Sequence, residues 1–325
     1  MWTHKLPPCT RQIDGGRWQG RNLAIEHYNR GIAWKAKGDI DRAITDYSEA
    51  IGLDPHHERA YVNRGNAWSD KGDLDRAIAD YTDAIRLDPN DADPYNDRGI
   101  AWRAKGDLDR AIADYTEAIR LDPKDATPHY NRGIAWKRNG DPDRAIADYT
   151  EAIRLDPNDA APYANRGDAY ASKKDYAHAL ADYTEAIRLD PANADYFNSR
   201  CWGRALAGND LTGALADCNE SLRLRPDVGN TLNSRGLVEL KLGAFAAAIA
   251  DYDAALARNA KDAASLYARG AAKRKNGDTA GGNADIAAAT AIKPDIAAIS
   301  AGYGIAVDAA PANAAPAAST AAAHD

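Results

Sequence analysis

The eleven residues Ala-Asp-Tyr-Thr-Glu-Ala-Ile-Arg-Leu-Asp-Pro stand at 113–123, and the same eleven return at 147–157 and 181–191. Each copy begins 34 residues after the copy before it. The tripeptide Asn-Arg-Gly, or a close variant of it, has a similar spacing along a longer stretch of the chain. Its last residues are Gly31, Gly65, Gly99, Gly133, Gly167, Cys201, Gly236 and Gly270. The steps between them are 34 residues, except for one step of 35 that Asn209 lengthens. A fixed period of this length predicts a tandem repeat array.

The units of the array follow from numbering this Gly as the eighth residue of each unit. The eight predicted units are 24–57, 58–91, 92–125, 126–159, 160–193, 194–228, 229–262 and 263–296. Residues 1–23 are predicted to be the remnant of a half-repeat followed by a Gly-rich linker. After the array we expect a capping helix over 294–304 and a disordered Ala-rich tail over 305–325, because an Ala- and Pro-rich segment of this kind has little with which to build a core.

Each unit has the pattern of two helices. In the second unit, apolar or small residues recur at the helical spacing i, i+4 and i+7 in two stripes, Tyr61, Gly65 and Trp68 followed by Ala77, Tyr81 and Ala84. Between the stripes, Gly72 suits a helix end and Asp73 suits the N-cap of the next helix. Pro89 ends the second helix, because proline restricts the residue before it to extended conformations. A single hairpin of this kind cannot bury its own stripe, so the units are predicted to stack.

This pattern resembles the tetratricopeptide repeat (TPR) family, which has a bulky residue at unit position 4, Gly at 8, an aromatic residue at 11, Ala at 20, an aromatic residue at 24, Ala at 27 and Pro at 32. The second and third units match at every one of these positions. The departures lie towards the end of the array, at Cys201, Cys218, Ala260, Lys273 and Gly282. The resemblance implies an all-α, right-handed superhelical solenoid of helix-turn-helix repeats, in which the first helices line a concave groove. Because units six to eight lose the consensus residues, we expect them to open before the others.

Two charged positions depart from the family, which usually has Leu at position 7. Position 7 is Arg in all eight units and position 23 is Asp in all eight. Both positions border the packed stripes, where an unpaired charge is costly, so we expect a structural Arg–Asp ladder. Sequence alone leaves open whether each pair lies within one unit or joins two. The paired positions are Arg30, Arg64, Arg98, Arg132, Arg166, Arg200, Arg235 and Arg269 with Asp46, Asp80, Asp114, Asp148, Asp182, Asp217, Asp251 and Asp285.

A candidate binding site lies on the other face of the first helices. Positions 2, 5, 6, 9, 12 and 13 share this face, and they vary between units whereas the second helices barely change. Position 6 carries a run of short polar side chains, Asn29, Asn63, Asp97, Asn131 and Asn165. A side-chain amide both donates and accepts, so it can pair with a peptide group, and the run is similar to the asparagine ladder in the TPR superhelix of O-GlcNAc transferases. The alternative is a solvated polar face without a ligand. Four basic residues on the same face, Lys35, Arg103, Lys137 and Arg138, could attract an acidic ligand or could simply be solvated.

Several function classes are disfavoured. The net charge is −7, from 41 Lys and Arg against 48 Asp and Glu, which argues against nucleic-acid binding. No apolar run is long enough to span a membrane. His56 and His57 lack the companions of a metal site, and we expect Cys201 and Cys218 to be small core residues rather than a disulfide. No phosphate loop or hydrolase motif occurs, so no catalytic residue, metal or cofactor is predicted.

The functional prediction is a non-enzymatic interaction scaffold or adaptor that binds an extended segment of a protein partner in the groove. Two alternatives stay open. The chain could be the regulatory or substrate-recruiting array of an enzyme whose catalytic domain lies elsewhere, or it could be a solenoid that self-associates. The expected location is the cytoplasm, with export to the periplasm or beyond as the alternative if the N-terminus is truncated.

Overall fold

A computed structural model of the chain describes residues 13, 18–226 and 228–307. Within these ranges no β-strand occurs, and the predicted all-α class with helix-turn-helix repeats is confirmed. From residue 18 to residue 307, sixteen of the described helices form eight antiparallel pairs, and a seventeenth follows them. The helices are α1 Gly20–Ala36, α2 Ile40–Leu53, α3 Glu58–Asp70, α4 Leu74–Leu87, α5 Asp93–Lys105, α6 Leu108–Leu121, α7 Ala126–Arg138, α8 Pro142–Leu155, α9 Ala160–Ser172, α10 Tyr176–Leu189, α11 Ala194–Ala207, α12 Leu211–Leu224, α13 Gly229–Leu242, α14 Phe245–Leu256, α15 Ala263–Lys275, α16 Thr279–Ile292 and α17 Ile296–Gly302.

The helices form two compact bodies that divide at residue 190. The N-terminal body holds α1 to α10, which are the first five units, and the C-terminal body holds α11 to α17. In each body a unit's first helix packs against its own second helix, and that second helix packs against the first helix of the next unit.

The turn inside each hairpin has a local cause. Gly72 ends α3 with φ of +79°, a left-handed conformation that a residue with a Cβ rarely adopts. Asp73 then caps α4, because its carboxylate accepts a hydrogen bond from the backbone N–H of Arg76 at 3.2 Å. The same Gly-Asp pair at 106–107 caps α6 in the third unit.

The two helices of a hairpin approach each other where Gly and Tyr meet. A Cβ placed on Gly133 would lie 2.7 Å from the ring of Tyr149, which is less than any van der Waals contact allows. The same contact joins positions 8 and 24 in the first, second, third, fifth and seventh units. The glycine therefore serves close packing, and the tyrosine ring fills the space that it leaves.

In the sixth unit, cysteines replace the Gly and Tyr that meet between the two helices of other units. The expectation that these cysteines are small core residues rather than a disulfide is wrong. Cys201 stands at position 8 and Cys218 at position 24, and the structure joins them in a disulfide with a Cα–Cα distance of 5.4 Å. The physical reason is the Gly–Tyr contact itself, which brings positions 8 and 24 together in other units. Two cysteines at these positions have their sulfur atoms within bonding distance.

The Arg–Asp ladder runs inside each unit. In all eight units the Nε and Nη2 atoms of the position-7 Arg donate to the two carboxylate oxygens of the position-23 Asp, at 2.7–2.9 Å. The remaining nitrogen reaches back to the unit before: Nη1 of Arg132 donates to the Thr116 hydroxyl at 3.0 Å. Arg64, Arg98, Arg166, Arg235 and Arg269 make the equivalent bond. One guanidinium therefore joins two helices of its own unit and a third helix of the preceding unit.

The ends of the chain correspond only partly to the prediction. The proposed half-repeat before residue 18 and the tail beyond residue 307 lie outside the described residues. The helix α17 falls inside the range 294–304. The tail was predicted to be disordered from residue 305, but Ile305 is only 7% exposed, so this prediction is wrong for the start of the tail. Ile305 packs into the apolar core of the C-terminal body, which the composition of the tail does not reveal.

Among the described helices, none combines the length and the apolar character that crossing a membrane requires.

Candidate functional site

The candidate site is the first-helix face, by which we mean unit positions 2, 5, 6, 9, 12 and 13 on the first helix of each unit. In the N-terminal body these helices are α1, α3, α5, α7 and α9, and each contacts the next one in the series. The face therefore brings corresponding positions of successive units next to each other.

The position-6 amides hold neighbouring units together. Asn63 donates from Nδ2 to the hydroxyl of Tyr28 at 2.8 Å, and Asn165 donates to the hydroxyl of Tyr130 at 3.1 Å. Each acceptor stands at position 5 of the preceding unit. Since the amide nitrogen is used in this way, the amide is held in one orientation, and its carbonyl oxygen is the group that it can offer to a ligand.

The other position-6 residues differ in exposure. Asn29 is exposed at the start of the face. Asn131 is only 6% exposed, and its Nδ2 atom donates to Oδ1 of Asn96 at 3.0 Å. Neighbouring side chains therefore cover Asn131, which leaves it little surface to offer to a ligand.

Asp97 takes the place of the amide in the third unit and lies at the centre of a polar network. Hydrogen bonds connect its carboxyl group to Asn96 and Asn66, and Oδ1 of Asn66 accepts from the Tyr81 hydroxyl at 2.6 Å. Burial, together with the nearby Asp93, raises the pKa of Asp97 to about 6. The network extends from the second to the fourth unit, since Asn96 also binds Asn131.

In units two to five, the residue at position 9 lies near the hydroxyl of the buried position-24 tyrosine and can serve as its hydrogen-bond partner when it is polar. Where it is polar, the tyrosine hydroxyl is satisfied: Tyr183 donates to Oδ1 of Asp168 at 2.9 Å, as Tyr81 does to Asn66. Where it is Ile134, the hydroxyl of Tyr149 is buried and has no hydrogen-bond partner among the described residues. Where it is Ile100, the hydroxyl of Tyr115 is buried beside the Arg103 side chain. Position 9 therefore gives the third and fourth units apolar side chains on a face that also carries the polar network around Asp97.

Two of the four basic candidates are neutralised within the chain. Lys35 pairs with Asp70 at 3.4 Å, and Lys137 pairs with Asp168 at 2.8 Å. Arg103 lies beside Tyr115, whose pKa is raised to about 12 by burial, an increase that the guanidinium limits. Arg138 is exposed at the end of α7. An attraction for acidic ligands would therefore depend on Arg103 and Arg138 rather than on all four.

Sequence reasoning missed the partners of the position-11 tryptophans. The guanidinium carbon of Arg76 lies 3.8 Å from the centre of the Trp68 ring, and that of Arg144 lies 4.0 Å from Trp136. These are cation–π contacts. The signal was present in the sequence, because Arg stands at position 19 of the first four units. The contacts cover one face of each ring and explain why the rings do not form an open stacking surface.

A metal site finds no support in the part of the chain that the structure describes, where no group of three or more His, Cys, Asp or Glu side chains could hold an ion. His57 packs against Tyr28 with ring centres 4.7 Å apart, and burial lowers its pKa.

Family models match the chain over most of the N-terminal body. A tetratricopeptide repeat model matches residues 28–92, a TPR repeat model matches 101–140, and a further tetratricopeptide repeat model matches 126–159 and 160–193. None of the curated proteins is significantly similar to the sequence.

Solved structures with similar folds are repeat proteins. A tetratricopeptide repeat protein from Parabacteroides merdae shares 16% identity with a TM-score of 0.59, and the match covers 76% of this chain and 97% of that one. The Pseudomonas aeruginosa protein pilF shares 18% identity with a TM-score of 0.57, over 65% of this chain and 96% of its own. YrrB, a TPR protein with an unusual peptide-binding site, shares 24% identity with a TM-score of 0.50, over 58% of this chain and 97% of its own. At these identities the likeness concerns the fold.

Proposed function

We propose that this chain, which belongs to the tetratricopeptide repeat family, is a non-enzymatic scaffold for protein interactions and that it binds an extended peptide segment along the first-helix face of the N-terminal body. The match to the tetratricopeptide repeat models supports a general role as a scaffold for protein interactions. The peptide and its location are our inference from the side chains of that face.

The observation that carries the proposal is the tethering of the position-6 amides. Asn63 and Asn165 each give an N–H to the preceding unit and keep a carbonyl oxygen available in a fixed orientation. A peptide in an extended conformation presents backbone N–H groups that such oxygens can accept. Because the amides are already held in place, binding would cost little side-chain entropy.

The choice of ligand follows from the rest of the face. Ile100 and Ile134 are partly buried against the tyrosines and offer apolar contact in the third and fourth units of the face. Arg103 and Arg138 lie near this apolar stretch along the chain, at positions 12 and 13 of the same two first helices. We therefore expect a segment with an apolar residue flanked by an acidic one.

The test is a peptide selected from a phage-displayed random library on the full chain, then titrated against Asn63→Ala/Asn165→Ala. Each lost hydrogen bond should weaken binding by about 0.5–1.5 kcal/mol, so the double variant should bind roughly tenfold less tightly. Asn131 is left unchanged because its burial would confuse a loss of binding with a loss of stability.

The matched control is Glu117→Ala/Glu151→Ala, which removes two carboxylates at position 26 of the second helices, away from the face. This variant should bind the selected peptide as the wild type does. Circular dichroism must show that all variants are folded. The proposal fails if the folded Asn63→Ala/Asn165→Ala variant keeps the full affinity, or if the control loses it equally.

For the location we propose an oxidising compartment, which was the alternative to the cytoplasm. The Cys201–Cys218 disulfide supports this, because such bonds persist in oxidising environments and are rare in the cytosol. Alkylation of the two cysteines in freshly lysed cells, followed by mass spectrometry, tests it. Complete labelling of both thiols before reduction would contradict the proposal.

A further inference from the structure

The first-helix face of the C-terminal body is covered in part by the segment that follows α17. After α17, alternate side chains of the segment Tyr303–Val307 face the protein: Tyr303 and Val307 are partly buried and Ile305 is buried, whereas Gly304 and Ala306 are exposed. The segment begins as the C-terminal turn of α17, in which Gly304 has a φ of +78° and the N–H of Ile305 donates to the carbonyl of Ser300 at 3.0 Å. One side of the segment therefore lies on the protein and the other side faces solvent.

The surface under the segment is the first-helix face of units six to eight. The ring of Tyr303 meets the edge of Trp202, at position 9 of α11, with ring centres 5.2 Å apart. Gly304 passes Lys241, at position 13 of α13, whose Nζ would lie 3.4 Å from a Cβ on that glycine. Ile305 belongs to the same apolar cluster as Leu237 of α13 and Ala271 of α15, both at position 9.

Burial at these positions differs from that in the N-terminal body. Leu237 and Ala271 are each 1% exposed, whereas Ile32, at the same position of the first unit, is 42% exposed. The helix before the segment is also placed unusually. α17 packs more against α15, a first helix, than against α16, whereas the first helix of a regular unit packs more against the preceding second helix than against the preceding first helix.

We propose that residues 303–307 are an internal ligand, which occupies the first-helix face of units six to eight until a partner segment of the same chemistry displaces it. That chemistry is an aromatic residue followed, at alternate positions, by two branched aliphatic residues and flanked by small ones. The inference deepens the proposed function by giving the C-terminal body its own peptide site, with an occupant that regulates access.

The tether makes the internal ligand a strong competitor. A segment attached by a short linker has an effective concentration of about a millimolar or more. A free peptide therefore binds the intact chain only in the fraction of molecules whose segment is released, and its apparent affinity is reduced by that fraction. Weakening the segment without removing it should make the face available.

The experiment uses the full chain and a labelled synthetic peptide of residues 300–307, Ser-Ala-Gly-Tyr-Gly-Ile-Ala-Val. Ile305→Asp places a charge on the buried side of the segment, and Ala306→Asp places the same charge on its exposed side. We expect the peptide to bind Ile305→Asp about tenfold or more tightly than it binds the wild type, and to bind Ala306→Asp as it binds the wild type. Adding Trp202→Ala to Ile305→Asp should abolish that gain.

The following results would overturn the proposal of an internal ligand. A folded Ile305→Asp variant that binds the peptide no better than the wild type overturns the proposal. A gain in peptide affinity that remains after Trp202→Ala is added to Ile305→Asp also overturns it. If Ile305→Asp loses the helical signal of units six to eight, the segment is part of the core and the proposal is wrong. The outcome is separate from the test of the N-terminal face, because the probe and the altered residues differ.

Discussion

At the level of single residues, the position-7 arginine explains why this array tolerates a charge where its family usually has Leu. The guanidinium presents several N–H groups in a planar fork, and the structure uses the fork fully: two groups bind the Asp of the same unit and a third reaches the preceding unit. A lysine ammonium carries its donors on a single atom and lacks the planar fork that binds both carboxylate oxygens side by side. The sequence identified the residues of the ladder, but the helical spacing is compatible with pairs inside a unit or across units, so the connectivity required the structure.

The ladder leads to the first prediction. In the fourth unit Asp148 is 6% exposed, and Arg132→Leu would leave its carboxylate buried without the arginine. We expect a loss of about 3 kcal/mol in the free energy of unfolding. Arg132→Leu/Asp148→Leu should recover part of the loss, because both charges are then gone. Urea denaturation of the three proteins measures this.

A matched control separates burial from charge. Arg154 also makes a short bond to a carboxylate, Glu151 at 2.6 Å, but its side chain is 64% exposed. Arg154→Leu should therefore leave the denaturation midpoint unchanged, since exposed ion pairs contribute little. If Arg132→Leu behaves like Arg154→Leu, the ladder does not stabilise the fold.

At the level of the helical unit, position 11 shows how the later units depart from the earlier ones. The first four units have Trp there and the fifth has Tyr, but units six to eight have Arg204, Glu239 and Lys273. Arg204 and Lys273 add a second cation to the ladder carboxylate of their units, at 2.6 Å from Asp217 and 2.9 Å from Asp285. Glu239 instead lies beside Asp251, with Arg235 as the nearby cation. Burial and the Asp251 carboxylate raise the pKa of Glu239 to about 7.

The seventh unit should therefore respond to pH near neutrality. The pKa of Glu239 is higher in the folded chain than in the unfolded chain, where it is about 4.3, so the folded state binds the proton more tightly. Its contribution to stability is present below the unfolded pKa and is lost as the pH rises through 7. The melting temperature of the wild type should fall between pH 5 and pH 8 by more than that of Glu239→Gln. Glu220→Gln should follow the wild type, because the hydrogen bond from Arg223 lowers the pKa of Glu220 and this carboxylate stays ionised over that range. Equal pH dependence in all three proteins would contradict this.

At the level of the whole chain, the two bodies reach stability by different means. In the N-terminal body, small apolar clusters recur from unit to unit, and arginines connect the units. The C-terminal body has one continuous apolar cluster, which includes the Cys201–Cys218 pair and Ile305. The period of the sequence predicted the units and the helix pairs of both bodies. It did not predict the disulfide or the docked segment, because the first depends on which positions meet across a hairpin and the second has no periodicity.

The loss of consensus residues led us to expect that units six to eight open first, and the structure changes this expectation. The disulfide closes a loop between residues 17 apart in the sequence, and a cross-link over a loop of this length stabilises by about 3 kcal/mol through the unfolded state. We therefore predict that in the oxidised chain α11 and α12 exchange their amide hydrogens no faster than the helices of units two to five. After reduction of the disulfide, α11 and α12 should become the first to exchange, because stability in a repeat array is local. The Cys201→Ser/Cys218→Ser variant should behave as the reduced chain does, with or without reductant. Exchange in α11 and α12 that is the same before and after reduction would show that the cross-link does not hold this unit together.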